Sequence, residues 1–150
     1  MSVFDILINY REGFFKGLLV TLQLCLIIWS SGIFIGSIIG VAGAKWDFAI
    51  GLPSRFASFI LSGIPVLVFL FWLHYPLQAM LDVVINPFYT AAATLSIINI
   101  FAVSDHVRTV IKDFPSQYVS AGRVCGLTPA QILFHIKFPI ILRQILPSVL

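Results

Sequence analysis

Three long apolar runs, separated by short charged segments, dominate the pattern of this chain. Charged residues are absent from the 28 positions that precede Lys45, the 26 that precede Asp82 and the 22 that precede Asp105. A membrane-crossing helix needs about 20 predominantly apolar residues, so each run can cross once but not twice. The pattern therefore predicts an all-α, polytopic membrane protein with about three transmembrane helices, at residues 17–43, 57–80 and 83–104.

The pattern changes after residue 105, where charged residues interrupt the apolar ones at short intervals. Such a segment is unsuited to hydrocarbon, and we expect residues 105–139 to form a cytoplasmic helix-turn-helix. Gly126 suits the left-handed position after a first short helix. The sequence from Thr128 to Gln131 is a capping box that begins a second helix. A further apolar segment begins near residue 144, and the chain ends inside it.

The basic residues indicate how the chain is oriented. If the N-terminus lies outside, seven Lys and Arg residues lie on the cytoplasmic side and two lie outside. The opposite orientation reverses these numbers, and cytoplasmic loops carry an excess of Lys and Arg. We therefore predict one transmembrane domain, residues 1–150, with its N-terminus outside.

Composition narrows the class of protein further. The chain is 59% hydrophobic and only 10% charged, with a mean hydropathy of +1.03. A soluble domain has about a quarter charged residues, so a water-soluble globular protein and a disordered one are both excluded. The net charge of +3 reflects topology and does not indicate nucleic-acid binding.

The sequence offers no constellation for catalysis. It has no P-loop sequence and no His, Cys and Asp cluster at metal-ligand spacing, so we predict no catalytic residue, no metal and no cofactor for this chain. Cys25 lies in the first span and Cys125 on the cytoplasmic side, where thiols stay reduced, and both are interpreted as packing residues.

Small residues follow one another at four-residue spacing in the first predicted span. Gly32, Gly36 and Gly40, followed by Ala44, lie on one face of a helix. Such a stripe lets a second backbone approach closely, which is how membrane helices gain packing energy. Packing within one subunit and contact between subunits both remain open at this point.

Three residues inside the predicted spans are candidates for a substrate pathway. Pro65 can break the second span, and broken helices in transporters line cavities; a proline that only marks the end of the span is the alternative. His74 is a lone titratable group near the end of that span, where an interfacial position is the alternative. Asn99 is the amide of the third span, where a role in holding helices together is the alternative.

The hairpin carries a motif of fixed spacing. Ser120-Ala121-Gly122 is followed after three residues by Gly126 and after nine more by Ile136 to Pro139. This spacing resembles the cytoplasmic signature of the permease subunits of bacterial ATP-binding-cassette importers, which reads Glu-Ala-Ala, three residues, Gly, nine residues, Ile-x-Leu-Pro. Serine replaces the acidic residue here, Gly122 the second alanine, and Phe138 the leucine.

Other segments resemble the polar amino acid branch of that family, and the resemblance covers residues 14–150. Residues 16–22 match its opening, residues 63–65 its Gly-x-Pro, and residues 145–147 the start of its next span. Asp105 and Arg108 match the Glu-x-x-Arg that precedes the hairpin, and they can pair on one helical face. Ser62 stands where the branch has an arginine.

The resemblance implies a permease for polar amino acids in the bacterial cytoplasmic (inner) membrane. Two such subunits, identical or related, would form the pathway. A cytoplasmic ATPase dimer would bind ATP, so this chain itself would be no enzyme, and an external solute-binding protein would deliver the substrate. The residues implied to couple to the ATPase are Ser120, Ala121, Gly122, Gly126, Ile136 and Pro139.

Members of the family continue beyond the point that corresponds to Leu150. We therefore expect a fragment, a split gene or a truncated product that lacks the C-terminal spans. The alternative function is that of a small three-span scaffold or assembly protein without transport activity.

Overall fold

The computed structural model describes the backbone of residues 11–149 and the side chains of residues 11–145. Within these residues the chain is helical and contains no strand, which confirms the predicted all-α class. The helices are α1 (Arg11–Lys45), α2 (Asp47–Gly63), α3 (Val66–Leu81), α4 (Pro87–Lys112), α5 (Ser116–Val124) and α6 (129–149).

Helices α1 and α4 are each long and apolar enough to cross a membrane, and they pack side by side. Gly32 lies against Asn99, Gly36 against Val103, and Gly40 against Val107. The numbers rise together along both helices, so α1 and α4 run parallel. The chain between them must therefore return to the side of the membrane from which it started.

The glycine stripe is used for packing within the chain, one of the two alternatives that the sequence left open. A Cβ atom on Gly36 would lie 2.8 Å from the carbonyl oxygen of Ile100, and one on Gly40 would lie 2.7 Å from that of Ser104. These distances are too short for any side chain. The segment Gly32–Gly36 is a π-helical turn within α1, which widens the helix where α4 approaches.

Helices α2 and α3 are bent by 99° relative to each other, and together they are long and apolar enough for one crossing. The break lies at Ile64, which is extended, and Pro65, which begins α3. Ser54 in α2 contacts Ser104 near the end of α4, and His74 in α3 contacts Thr90 near its beginning. The pair thus runs antiparallel to α4 along roughly 21 Å of its length.

The interior between these helices is built from small and weakly polar side chains. Ser54, Ser58, Thr90, Thr94 and Ser104 are buried. The Ser54 and Ser104 hydroxyls lie 2.9 Å apart, and Thr94 Oγ1 donates to the Thr90 carbonyl at 2.7 Å. The Thr90 hydroxyl instead contacts the side chains of His74 and Gln78. Large apolar side chains instead face outward along every span. This inverted distribution is typical of helices that pack inside a bilayer.

Candidate functional site

The predicted hairpin consists of α5, a glycine turn and the beginning of α6. Helix α4 ends at Lys112 with Asp113 as its cap, and Pro115 begins α5 two residues later. The Phe114 ring lies 6.1 Å from the Tyr118 ring, and the Lys137 ammonium group of α6 lies 5.7 Å from the Phe114 ring centre. These contacts hold both helices of the hairpin against the end of α4.

The turn of the hairpin has the conformation that the sequence predicts. Gly126 has a φ of +76°, and its N–H donates to the Arg123 carbonyl at 3.0 Å. The Leu127 N–H donates to the Gly122 carbonyl at 3.0 Å, which closes the end of α5. Thr128 and Gln131 form the predicted capping box at the start of α6.

The small residues of the motif point in two directions. Gly122 is buried, and a Cβ atom at this position would lie 3.0 Å from Cδ1 of Ile136 and 3.1 Å from Cγ1 of Ile132. It is therefore the point where α5 packs on α6. Ser120 and Ala121 are exposed. The outward surface of the motif is thus formed by Ser120 and Ala121, while Gly122 and Ile136 hold the hairpin together.

The second helix of the hairpin does not end at Pro139, where the predicted coupling segment stops. Residues Ile132–Lys137 form a π-helical segment, and an α-helix continues over Phe138–Val149. Proline has no N–H and clashes with the preceding turn of an α-helix. The wider π-helical turn accommodates the proline. The second helix of the hairpin and the following apolar segment therefore form one continuous helix.

A cluster of charges fixes the C-terminal end of α4 to the turn between α1 and α2. Arg108 is 8% exposed, and its guanidinium group contacts Asp105 at 3.1 Å and Asp47 at 3.5 Å. The predicted pairing of Asp105 with Arg108 is therefore confirmed. Lys112 also contacts Asp47, so this carboxylate joins two cations of α4 to the start of α2.

Asp47 lies in the turn between the first two predicted spans, outside the membrane. The hydrogen bond from Lys112 lowers the pKa of this carboxyl below its ordinary value of 3.8, and the nearby charges of Lys112, Arg108 and Arg55 act in the same direction. Because the folded protein favours the charged form, this ion pair stabilises the turn above the ordinary pKa. Its contribution is lost as the pH falls through the lowered pKa.

A hydrogen-bonded cluster joins α3 to α4 at the opposite end of the spans. The Ile85 N–H donates to Oε1 of Gln78 at 3.0 Å, which leaves the amide nitrogen of Gln78 facing His74 and Thr90. That nitrogen donates to His74 Nδ1 at 3.0 Å and to Thr90 Oγ1 at 3.3 Å. His74 Nδ1 is therefore an acceptor, and in the neutral ring Nε2 carries the proton.

The three predicted pathway residues do not lie together. Pro65 lies at the bend between α2 and α3, and His74 belongs to the cluster with Gln78 and Thr90. Asn99 lies between α1 and α4, where its Nδ2 donates to the Ile28 carbonyl at 2.9 Å. Its amide thus joins two helices, as the alternative interpretation has it. The pathway role of all three stays a prediction.

Replacing Asn99 by leucine should test the role of its amide in joining α1 to α4. We expect the free energy of unfolding to fall by about 1 kcal/mol, because the hydrogen bond from Asn99 Nδ2 to the Ile28 carbonyl is lost. Thermal unfolding in detergent measures this effect. An unchanged unfolding temperature would contradict the role of the amide in holding the two helices together.

Two features of the site could not be read from sequence motifs. Gly43 and Gly51 bring the end of α1 and the start of α2 together, with a Cβ on Gly51 placed 2.6 Å from the Gly43 carbonyl oxygen. Asp47 joins both cations of α4. The only signal for these contacts is a pair of glycines and an acidic residue within a short basic turn.

Comparison with known proteins supports the interpretation of the hairpin. The model of the family "binding-protein-dependent transport system inner membrane component" matches residues 32–150. This chain belongs to that family. The resemblance predicted from the spacing of the hairpin is thereby confirmed.

Individual relatives of this permease family member come from amino acid transporters. The chain is 27% identical over 148 residues to the histidine/lysine/arginine/ornithine transport system permease protein HisQ of Salmonella typhimurium, and equally to HisQ of Escherichia coli K12. These alignments cover 89% of this chain and 63% of the length of each relative. The crystal structure of an amino acid transporter with histidines matches with a TM-score of 0.82 at 24% identity, over 99% of this chain and 70% of the other.

Proposed function

We propose that this chain is a permease subunit of an ATP-binding-cassette importer for polar amino acids. Family membership and the geometry of the hairpin carry the proposal. The substrate class follows from the HisQ relatives, whose name gives histidine, lysine, arginine and ornithine as transported solutes. The chain would bind no ATP itself and would need no cofactor, since a separate ATPase would supply the energy.

The hairpin is the element that would bind the ATPase. Ser120 and Ala121 present small exposed side chains, so the backbone of α5 is accessible to a partner surface. Gly126 sets the turn, while Gly122 against Ile136 keeps the two helices in register. Pro139 lies where the hairpin continues into the next apolar helix. A partner that moves α5 would therefore move α6 with it.

Helix α4 provides the route from the hairpin into the membrane. It is continuous from Pro87 to Lys112 and contacts α1, α2, α3 and α6. Its cytoplasmic end is clamped through Arg108, and its other end meets His74 through Thr90. Motion of the hairpin would thus reach the bend at Pro65 and the cluster at His74, which supports their assignment to the pathway.

The arrangement of the complex follows from the same proposal. A second permease subunit, identical or related, would complete the pathway, and an external solute-binding protein would deliver the amino acid. The subunit would lie in the bacterial cytoplasmic membrane with its N-terminus outside. The excess of Lys and Arg beyond Lys45 supports this orientation.

We expect the neighbouring genes to encode an ATPase and a solute-binding protein, and co-expression with them tests the proposal. We expect the ATPase to co-purify with the tagged chain in detergent, and arginine to be taken up by vesicles that contain the whole complex. Purification of the chain without an ATPase would favour a scaffold. Uptake of a sugar in place of arginine would refute the substrate class while leaving the permease function intact.

A further inference from the structure

Helix α2 has two faces of opposite character. Gly51, Ser54 and Ser58 are buried against α1 and α4. The opposite face carries large exposed side chains at spacings of four, four and three residues, which place them in one stripe along the helix. We call this the α2 stripe, and its members are Phe48, Leu52, Phe56 and Phe59.

A charged cleft lies at the cytoplasmic end of the α2 stripe. The cleft has a volume of about 120 Å³. It is lined by the basic residues Arg55, Arg108 and Lys112, the acidic residue Asp47, and the apolar residues Phe48 and Leu52. Leu52 and Arg55 also line an adjoining apolar groove that extends along Phe56 and Phe59. The cleft and the groove therefore form one continuous surface, basic at one end and apolar at the other.

One cation of the cleft stands outside the ion pairs of the described residues. Arg108 is paired with Asp47 and Asp105, and Lys112 is paired with Asp47. Arg55 forms no ion pair with any residue in the described part of the chain. Three cations thus face two carboxylates, and the excess positive charge lies beside the groove. An anion is the ligand that this arrangement complements.

Neighbouring residues indicate the depth of the cleft in the membrane. The Lys45 ammonium group lies 5.0 Å from the ring centre of Trp46, which is exposed at the end of α1. Tryptophan and lysine at the end of a span are typical of the membrane–water interface. The cleft begins one residue later at Asp47, while Phe56 and Phe59 lie further along α2, toward the hydrocarbon.

We propose that this surface binds one anionic phospholipid of the cytoplasmic leaflet. The phosphate lies between Arg55 and Lys112, and an acyl chain lies along Leu52, Phe56 and Phe59. Basic clefts beside membrane helices recognise anionic head groups in this way. The proposal requires only that the chain lies in a membrane, so it can fail or succeed independently of the proposed transport function.

Native mass spectrometry of the full chain, titrated with phosphatidylglycerol or phosphatidylcholine of identical acyl chains, tests the proposal. We expect phosphatidylglycerol to bind more tightly, and Arg55→Gln to weaken it about fivefold, the contribution of one basic residue near an anionic leaflet. Arg143→Gln, which removes an exposed charge outside the cleft, should have no effect. Phe59→Ala should weaken both lipids equally, since it alters only the acyl contact.

Three results would overturn the proposal. If Arg55→Gln leaves the affinity for phosphatidylglycerol unchanged, the head group does not bind at Arg55. If Arg55→Gln and Arg143→Gln lower the affinity for phosphatidylglycerol equally, the lipid is attracted by the overall positive charge rather than by a specific site. Efficient photo-cross-linking between two copies of the chain from position 59 in lipid vesicles would show that protein, rather than lipid, covers the α2 stripe. Thermal unfolding of Arg55→Gln must match that of the unaltered chain for the comparison to hold.

Discussion

Replacing Gly40 by alanine should lower the free energy of unfolding by about 1–3 kcal/mol, the usual cost of an extra carbon atom in a close-packed contact. The new Cβ would lie 2.7 Å from the Ser104 carbonyl oxygen and 2.8 Å from Cβ of Val107. Backbone atoms cannot rotate away, so α1 and α4 must separate. Thermal unfolding of the purified chain in detergent measures the loss.

Gly17 provides the matched control on the same helix. Nothing outside the local helix lies within 4 Å of a Cβ at Gly17, so Gly17→Ala should leave stability unchanged or slightly raised. Equal effects of the two substitutions would contradict the parallel packing of α1 on α4. A normal unfolding temperature for Gly40→Ala, with failure to assemble with a second permease, would move the glycine stripe to an interface between subunits.

Replacing Gly126 by valine should reduce binding of the ATPase at least tenfold while leaving the spans folded. A β-branched residue is a strained outlier at a φ of +76°, so the turn between α5 and α6 would have to rearrange. Nothing lies within 4 Å of a Cβ at this position, so the effect comes from the backbone rather than from a clash. Titration of the chain with purified ATPase measures the change in affinity.

Gly126→Asn distinguishes the effect of backbone strain from direct obstruction of the ATPase by an added side chain. Asparagine tolerates the left-handed conformation, so this variant should bind the ATPase nearly as well as the unaltered chain. If asparagine is as harmful as valine, a side chain at position 126 obstructs the partner directly. If valine binds normally, the turn has no part in coupling and the role proposed for Gly126 is wrong.

Features that depend on residues close in sequence were predictable. Gly126 and the capping box at Thr128 act within one turn of chain, and the Asp105–Arg108 pair lies on one helical face. The break at Pro65 follows from a missing N–H and a steric clash. Each of these features depends on residues within a few positions of one another, so the sequence alone is enough to predict it.

Features that join distant segments were not predictable. Proline indicates a break in the second span but does not set its angle of 99°. The inward position of Gly122 depends on where Ile132 and Ile136 lie, and the outward position of Ser120 and Ala121 follows from it. The glycine stripe could pack within the chain or against a second subunit. Only the observed parallel packing of α4 on α1 decides between these alternatives.

The continuation of α6 through Pro139 was likewise hidden from the sequence. Proline usually ends a helix, and the predicted coupling segment stops there for that reason. The π-helical segment over Ile132–Lys137 makes the continuation possible. The second helix of the hairpin and the following apolar helix are therefore one continuous element.

Photo-cross-linking from the hairpin tests the central claim most directly. The photo-reactive amino acid p-benzoylphenylalanine placed at position 121, which is exposed on α5, should cross-link to the ATPase in membranes that contain the whole complex. The same group at position 84, which is 99% exposed at the opposite end of the spans, should not reach it. Absence of an ATPase product from position 121, with the complex otherwise assembled, would contradict the coupling role of this hairpin.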